Sequence, residues 1–205
     1  HKYARRNARG ASAQFMERGL RQLLFGRHYV EIDVAASHPT NRMAATAMRW
    51  AGVESREWEE LAASPGEYRK RTVAEYKRMG ITLQDSDVKR AVVTLLNGGS
   101  INRWAREVIG REVVADTLTA LRSGIRALRE RAEGSFPDVS AAIEGCGKSR
   151  TREEKKTAVV HAVMTGLEDG VLASMEISAA EAGWECDALM GNGMLVRPRR
   201  LAENG

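Results

Sequence analysis

A carboxylate within an apolar segment is the first feature of the sequence that could take part in chemistry. Residues 28–36, HYVEIDVAA, alternate and are rich in β-branched side chains, which predicts a β-strand. Alternation puts Asp33 on the face opposite Ile32 and Val34. A carboxylate buried in a strand is costly unless it is paired or binds a metal ion. Asp33 is therefore a candidate metal ligand, and the alternative is an exposed aspartate on a half-buried strand.

A predicted helix carries the second set of candidates. Residues 85–99 begin with acidic side chains and end at a Gly-Gly pair that starts with Gly98, as helices often do. Lys89, Val93 and Asn97 recur at i, i+4 and i+8, so they share one face. This face would suit a nucleotide. Lys89 would contact the phosphates, Val93 would provide an apolar surface under the base, and the ligand could approach the backbone closely at Gly98. The alternative is a solvated amphipathic helix.

The third candidate lies in a predicted hairpin near residues 184–198. Asn192-Gly193 between two apolar runs is typical of a tight β-hairpin turn. Most such turns only connect strands, so the turn by itself indicates no function.

Other kinds of site find little support. The segment GCGKS (145–149) has Ala142 where a phosphate-binding P-loop needs glycine, so we reject that reading. The four histidines and the two cysteines show no metal-ligand spacing.

No uncharged apolar run approaches the ~18 residues of a membrane span, and the basic N-terminus lacks the apolar core of a signal peptide. We therefore expect an intracellular protein that is neither secreted nor membrane-bound.

Charge is distributed unevenly along the chain, whose net charge is +5. Residues 1–27 contain seven Lys or Arg against one acid, and residues 66–90 contain seven against four acids. Blocks of one sign suggest a polyanionic partner, most simply nucleic acid. The alternative is a solvated basic face.

The remaining patterns are mainly helical. We predict helices at 12–25, 39–52, 55–63, 66–79, 101–109, 113–133 and 151–182, the last with a break near Gly166 or Gly170, and an irregular stretch at 134–147. With one strand and a distant hairpin, this outline predicts a mostly helical α+β protein with a small antiparallel sheet.

Together, the strand, the helix and the hairpin resemble the polymerase motifs of the family A DNA polymerases and the related single-subunit, phage-type RNA polymerases. In that superfamily a strand supplies a metal-binding Asp (motif A), a fingers helix supplies a Lys and, eight residues later, a residue followed by Gly (motif B), and a hairpin supplies His-Asp before a turn (motif C). YVEIDVAASHPT (29–40) is similar to motif A and VKRAVVTLLNGGS (88–100) to motif B, while ALMGNGMLVRP (188–198) stands where motif C is expected.

The resemblance implies a template-directed nucleotidyltransferase, a DNA polymerase or primase-like enzyme, that acts on a nucleic-acid primer-template with nucleoside triphosphates. It implies that Asp33, with the carbonyl of Val34, binds two Mg²⁺ or Mn²⁺ ions. Lys89 would hold the triphosphate of the incoming nucleotide. Catalysis would then rest mainly on positioning and on charge neutralisation by the two ions.

Three positions depart from the family pattern. His38 stands where the DNA enzymes carry a Glu, and Asn97 replaces a Tyr, so the choice between ribose and deoxyribose stays open. Gly191-Asn192 replaces His-Asp. Asn192 is neutral and offers one ligating oxygen, which should weaken metal binding and impair catalysis.

The resemblance also implies a division of a single polymerase-like domain, residues 1–205. We assign a basic N-terminal helix to 1–27, the palm to 28–52 and 134–205, and the fingers to 53–133. Because only 32 residues precede Asp33, the N-terminal helix would grip the duplex through Arg18 and Arg21.

A non-enzymatic, basic helical nucleic-acid-binding protein is the competing interpretation. It accounts for the charge blocks and for the Asn-Gly turn. It leaves Asp33 and the Lys89 face without a role. The oligomeric state stays open.

Overall fold

A computed structural model describes most of the chain. The described residues are 29–33, 38–146, 150–190 and 193–198, together with Leu23, Gly26 and Arg27. Side chains at Asp33, His38–Thr40, Ala188–Met190 and Gly193 are outside this description. The predicted helix at 12–25, Leu23 excepted, lies outside the described residues, as do Arg18, Arg21, Val34 and Asn192.

The described chain is mostly helical and carries one small antiparallel sheet, which confirms the predicted α+β class. Its elements are β1 (Val30–Asp33), α1 (His38–Trp50), α2 (Arg56–Ala63), α3 (Pro65–Arg78), α4 (Asp85–Leu96), α5 (Ile101–Ile109), α6 (Asp116–Ser135), α7 (Pro137–Glu144), α8 (Arg152–Glu181), β2 (Trp184–Met190) and β3 (Gly193–Pro198).

Two predictions along the chain were wrong. The stretch at 134–147 is not irregular throughout, because Pro137 occupies the first turn of α7, where its missing N–H costs nothing. The helix over 151–182 has no break at Gly166 or Gly170, since α8 runs through both. Near these glycines an added Cβ would meet no other atom within 4 Å, so they are simply exposed positions of a continuous helix.

The chain forms two compact units. The helical unit comprises the described part of residues 37–164, and the sheet unit contains β1, the part of α8 from Thr165, and the β2–β3 hairpin. The palm and fingers assignment, with its predicted boundaries, stays a prediction.

An apolar core holds the helical unit together. Its largest fully buried side chains come from seven of the described helices and include Met48, Trp58, Tyr76, Val88 and Leu121. The carboxylate of Glu75 on α3 accepts hydrogen bonds from the first backbone N–H groups of α6, at 2.6 Å from Asp116 and 3.3 Å from Thr117. A distant side chain thus caps a helix whose own preceding residue, Ala115, cannot.

The sheet unit is built on strand order β1-β3-β2, with both pairs antiparallel. Met194 and Val196 of β3 are buried against Ala179 of α8. Cross-strand partners share a face, so Ile32 lies on this α8 side with Met194, whereas Glu31 lies on the opposite face with Leu195. The sheet therefore has one face packed on a helix, and Glu31 and Leu195 lie on its other face.

Candidate active site at the end of β1

The end of β1 lies beside the turn of the hairpin. Asp33 is the last residue of β1, and its Cα partner on β3 is Gly193. Gly193 also pairs with Met190 on β2, which leaves Gly191 and Asn192 as the connection. The backbone of Asp33 is thus paired with the residue that directly follows Asn192. The sequence prediction of a tight hairpin near 184–198 is confirmed, with β3 starting at Gly193 itself.

The position of Asp33 on the sheet follows from the register. Backbone pairing with β3, whose Met194 is buried, fixes the place of the Asp33 backbone in the sheet.

A polar network ties the other end of the strands together. The hydroxyl of Tyr29 donates a hydrogen bond of 2.8 Å to Asp187 Oδ2. The guanidinium of Arg197 donates to the same carboxylate oxygen and forms a 2.9 Å ion pair with Glu185. These contacts join the residue before β1 to both strands of the hairpin.

The charges of this network perturb one another. Arg197 and then Tyr29 hold the pKa of Asp187 below its ordinary value, because both donate to its carboxylate. The same hydrogen bond to Asp187 raises the pKa of the Tyr29 hydroxyl. Sequence reasoning missed this network, because Tyr29 and Asp187 are 158 positions apart in the chain.

The predicted nucleotide face of α4 is exposed. Val88, Val92, Leu95 and Leu96, which form the apolar face next to it, are buried. Lys89 and Asn97 are exposed, and Val93 is 44% exposed. Asn97 follows the last residue of α4 as its C-cap. A cation, an apolar side chain and an amide are thus available to solvent along one face of the helix.

The Gly-Gly pair after α4 has a packing role. Gly98 has φ of +80°, a left-handed conformation that favours glycine. A Cβ on Gly98 would lie 2.9 Å from Thr157 Cγ2, and one on Gly99 would lie 2.6 Å from Thr94 Cγ2. Protein atoms therefore explain both glycines. The predicted contact between Gly98 and a nucleotide stays a prediction.

The carbonyl groups at the end of α4 are also engaged. Arg129 of α6 donates a 2.8 Å hydrogen bond to the carbonyl oxygen of Leu95. Burial lowers the pKa of the Arg129 guanidinium. This contact anchors the end of α4 on α6 and so orients the Lys89 face.

The remaining predicted site residues are only partly described. His38 is the first residue of α1, and its side chain is not described. Asp33 and Asn192 belong to the sheet unit, whereas Lys89, Val93, Asn97, Gly98 and His38 belong to the helical unit. Within the described residues, no group of three or more His, Cys, Asp or Glu is arranged to hold a metal ion.

The basic block at residues 66–90 is half neutralised. Three of its cations form ion pairs, namely Arg69 with Asp85, Lys70 with Glu67 and Arg71 with Glu60. In the described part of the chain, four others have no carboxylate partner: Lys77, Arg78, Lys89 and Arg90. Positive charge available to a polyanion is thus concentrated at the end of α3 and on α4.

No protein-family model, curated protein or solved structure matches this chain. None of the described helices is long and apolar enough to cross a membrane.

Proposed function

We propose that this chain is a template-directed nucleotidyltransferase, a DNA polymerase or primase-like protein, whose reaction is impaired by Asn192. Its substrates would be a nucleic-acid primer-template and nucleoside triphosphates. Its reacting groups would lie where β1 meets the hairpin turn, and the Lys89 face of α4 would bind the incoming nucleotide.

One observation carries the proposal, the pairing of Asp33 with Gly193. A two-metal site needs oxygen ligands from separate segments to converge on ions about 4 Å apart. Because paired strands lie about 5 Å apart, the backbone of Asp33 is about that far from Gly193, the residue that follows Asn192 in the sequence. More than a hundred residues separate Asp33 from Gly193 in the chain, so their pairing does not follow from sequence proximity.

The chemistry of the donors suits a hard divalent cation. Asp33, the carbonyl of Val34 and the amide of Asn192 offer only oxygen ligands, which Mg²⁺ and Mn²⁺ prefer. The set contains a single carboxylate, however, and the charge of a second one is missing at Asn192. Bound Mg²⁺ would activate the primer hydroxyl and neutralise charge on the phosphates.

The protein groups would mainly bind and orient the nucleotide. Lys89 is exposed and has no carboxylate partner in the described part of the chain, so its ammonium is available to the triphosphate. Val93 lies one turn further along the exposed face and offers an apolar surface to the base. Asn97 and His38 would contact the sugar.

Restoring the missing carboxylate tests the proposal directly. We expect Asn192→Asp to extend a primer in Mg²⁺ or Mn²⁺ on the order of a hundredfold faster than the natural sequence, because a metal-bridging carboxylate contributes several kcal/mol. Primer extension with each nucleotide set, deoxy and ribo, measures the effect and also identifies the preferred sugar.

Two controls accompany this substitution. Asn192→Ala should show no gain, and adding Asp33→Ala to Asn192→Asp should abolish the gain. Absence of extension and of primer synthesis by both the natural sequence and Asn192→Asp, in every nucleotide set, would rule the proposal out.

A second candidate function is non-enzymatic nucleic-acid binding. This function is favoured by Lys77, Arg78 and Arg90, which have no carboxylate partner in the described part of the chain. Such cations can bind a polyanion without any catalytic group. Asp33→Ala separates the two functions. A binder should be unchanged or bind oligonucleotides slightly more tightly, whereas a polymerase should lose metal-dependent nucleotide binding.

A further inference from the structure

The long helix α6 carries two exposed arginines on one face. Arg122 and Arg126 are four residues apart, so they are neighbours along the helix surface. The helical rise places their Cα atoms about 6 Å apart along the axis. Arg122 is further held by a 3.2 Å hydrogen bond from its Nη1 to Asn102 Oδ1 of α5.

These two arginines are not among the ion-paired cations described in the helical unit. The described ion pairs of the unit occupy eight other cations: Arg49, Arg56, Arg69, Lys70, Arg71, Arg106, Lys155 and Lys156. In that part of the chain neither Arg122 nor Arg126 has a carboxylate in contact. Their charge is therefore not neutralised by an ion pair within the described residues.

An acid close to Arg126 in the sequence is already paired with another cation. Glu130 lies one turn beyond Arg126 on α6 and forms a 2.6 Å ion pair with Lys156 of α8. Arg152, one turn before Lys156, also acts on Glu130 and has no ion pair of its own in the described chain. We call Arg122, Arg126 and Arg152 the arginine row.

The side chains of the row fit phosphate groups. A guanidinium donates two parallel hydrogen bonds to phosphate oxygens, and a line of guanidiniums matches a line of regularly spaced phosphates. None of the exposed side chains of α6 is large and apolar. A helix that lies on a membrane surface would expose several such side chains. Charge and shape therefore favour a nucleic-acid strand over a lipid surface.

We propose that the arginine row binds the phosphate backbone of a nucleic-acid strand without reading its sequence. The proposal rests on the nucleic-acid substrate of the proposed function but not on its catalytic step. The row lies outside the Lys89 face and outside the basic block at 66–90, so it adds a second contact region for the same polyanion.

Salt-dependent binding tests the row. A double substitution, Arg122→Gln with Arg126→Gln, is compared with Arg56→Gln plus Arg71→Gln. The control removes the same charge, but from two arginines that are paired with Glu60. Fluorescence anisotropy with a labelled single-stranded oligonucleotide and its duplex gives the dissociation constant at several salt concentrations.

We expect the row substitutions to weaken binding at least about tenfold at ~0.1 M salt. They should also flatten the slope of log K against log salt by about 1.4 for the single strand and about 1.8 for the duplex, which is the loss of two phosphate contacts. The control pair should change both quantities much less. Arg122→Lys with Arg126→Lys should keep most of the slope while it weakens binding, because charge remains and the bidentate geometry is lost.

Several results would overturn the proposal. One is an equal effect of the row and control substitutions, and another is an unchanged salt slope. A third is an equal loss of binding to anionic phospholipid vesicles, which would indicate a surface that binds any polyanion. Since Asn192→Asp leaves the row intact, a protein that binds oligonucleotides through the row but never extends a primer would refute only the proposed enzyme function.

Discussion

The helical unit and the sheet unit hold their candidate functional residues in different ways. Lys89 lies on a helix whose other face is buried in a core with Trp58 and Tyr76, each 0% exposed. Asp33 ends a four-residue strand at the edge of a three-stranded sheet, whose buried cluster consists of Ala179, Met194 and Val196. Burial of many side chains orients the first residue, whereas backbone register orients the second.

The sheet unit also leaves apolar surface uncovered. An apolar groove of about 730 Å³ lies between the α8 side of the sheet and α8 itself, and Ile32, Val171 and Trp184 are among its lining residues. Val30 and Ile32 of β1 are 50% and 37% exposed. A small core beside an open groove contributes less stability than a filled one, because less apolar area is removed from water. We therefore expect the sheet to open more readily than the helical unit.

The largest effect should come from the core of the helical unit. Trp58→Ala should destabilise this unit by about 3–5 kcal/mol, because it leaves a large cavity and removes the partner of the Leu121 carbonyl at 2.9 Å. Amide hydrogen exchange should show protection lost in α2 to α6. Trp50→Ala is the matched control, since Trp50 is 61% exposed and should cost little. A similar loss for both tryptophans would contradict the assigned core.

A smaller effect is expected in the sheet unit. Met194→Ala should lower the free energy of unfolding of the sheet unit by about 2 kcal/mol, which is at the low end for a buried methionine. The reason is that Met194 lines the groove, so fewer protein atoms contact its side chain. Protection should fall in the hairpin while α2 to α6 keep theirs. Ile177→Ala, at a position 60% exposed on α8, is the control. Equal loss of protection in both units would mean that the sheet has no stability of its own.

The smallest effect concerns pH. The pKa of Asp187 is depressed in the folded sheet, first by Arg197 and then by Tyr29. Its ionised form therefore stabilises the hairpin above the ordinary carboxyl pKa of about 3.9, and this contribution is lost as the pH falls through the lower, folded value. Asp187→Asn should remove this part of the acid sensitivity.

Hairpin amide exchange between about pH 5 and pH 2 measures the change. Asp138→Asn on α7 adds the same amide at an exposed position away from the network and should leave the pH profile of the hairpin unaltered. An unchanged profile for Asp187→Asn would show that the network contributes nothing to the register of β1.

Helices with a clear apolar period could be predicted within one or two residues. The predicted 55–63 and 66–79 are Arg56–Ala63 and Pro65–Arg78, because burial pattern and end signals coincide there. Prediction failed at α7, where Pro137 was taken to interrupt helix and instead begins one. It also failed where a contact joins distant segments, as between Glu75 and the start of α6.

The candidate site divides in the same way. The sequence by itself determined which residue types are present: a strand aspartate, a helix face with Lys89, Val93 and Asn97, and a hairpin turn at Asn192. These follow from local periodicity and turn chemistry, which neighbouring residues encode. Only the tertiary structure decided that β1 pairs with β3 in the register that aligns Asp33 with Gly193, and that Thr157 packs against Gly98. Such pairings depend on which buried surfaces fit together. In the β1–β3 pair the partners are more than a hundred residues apart in the chain, and no local sequence pattern specifies their register.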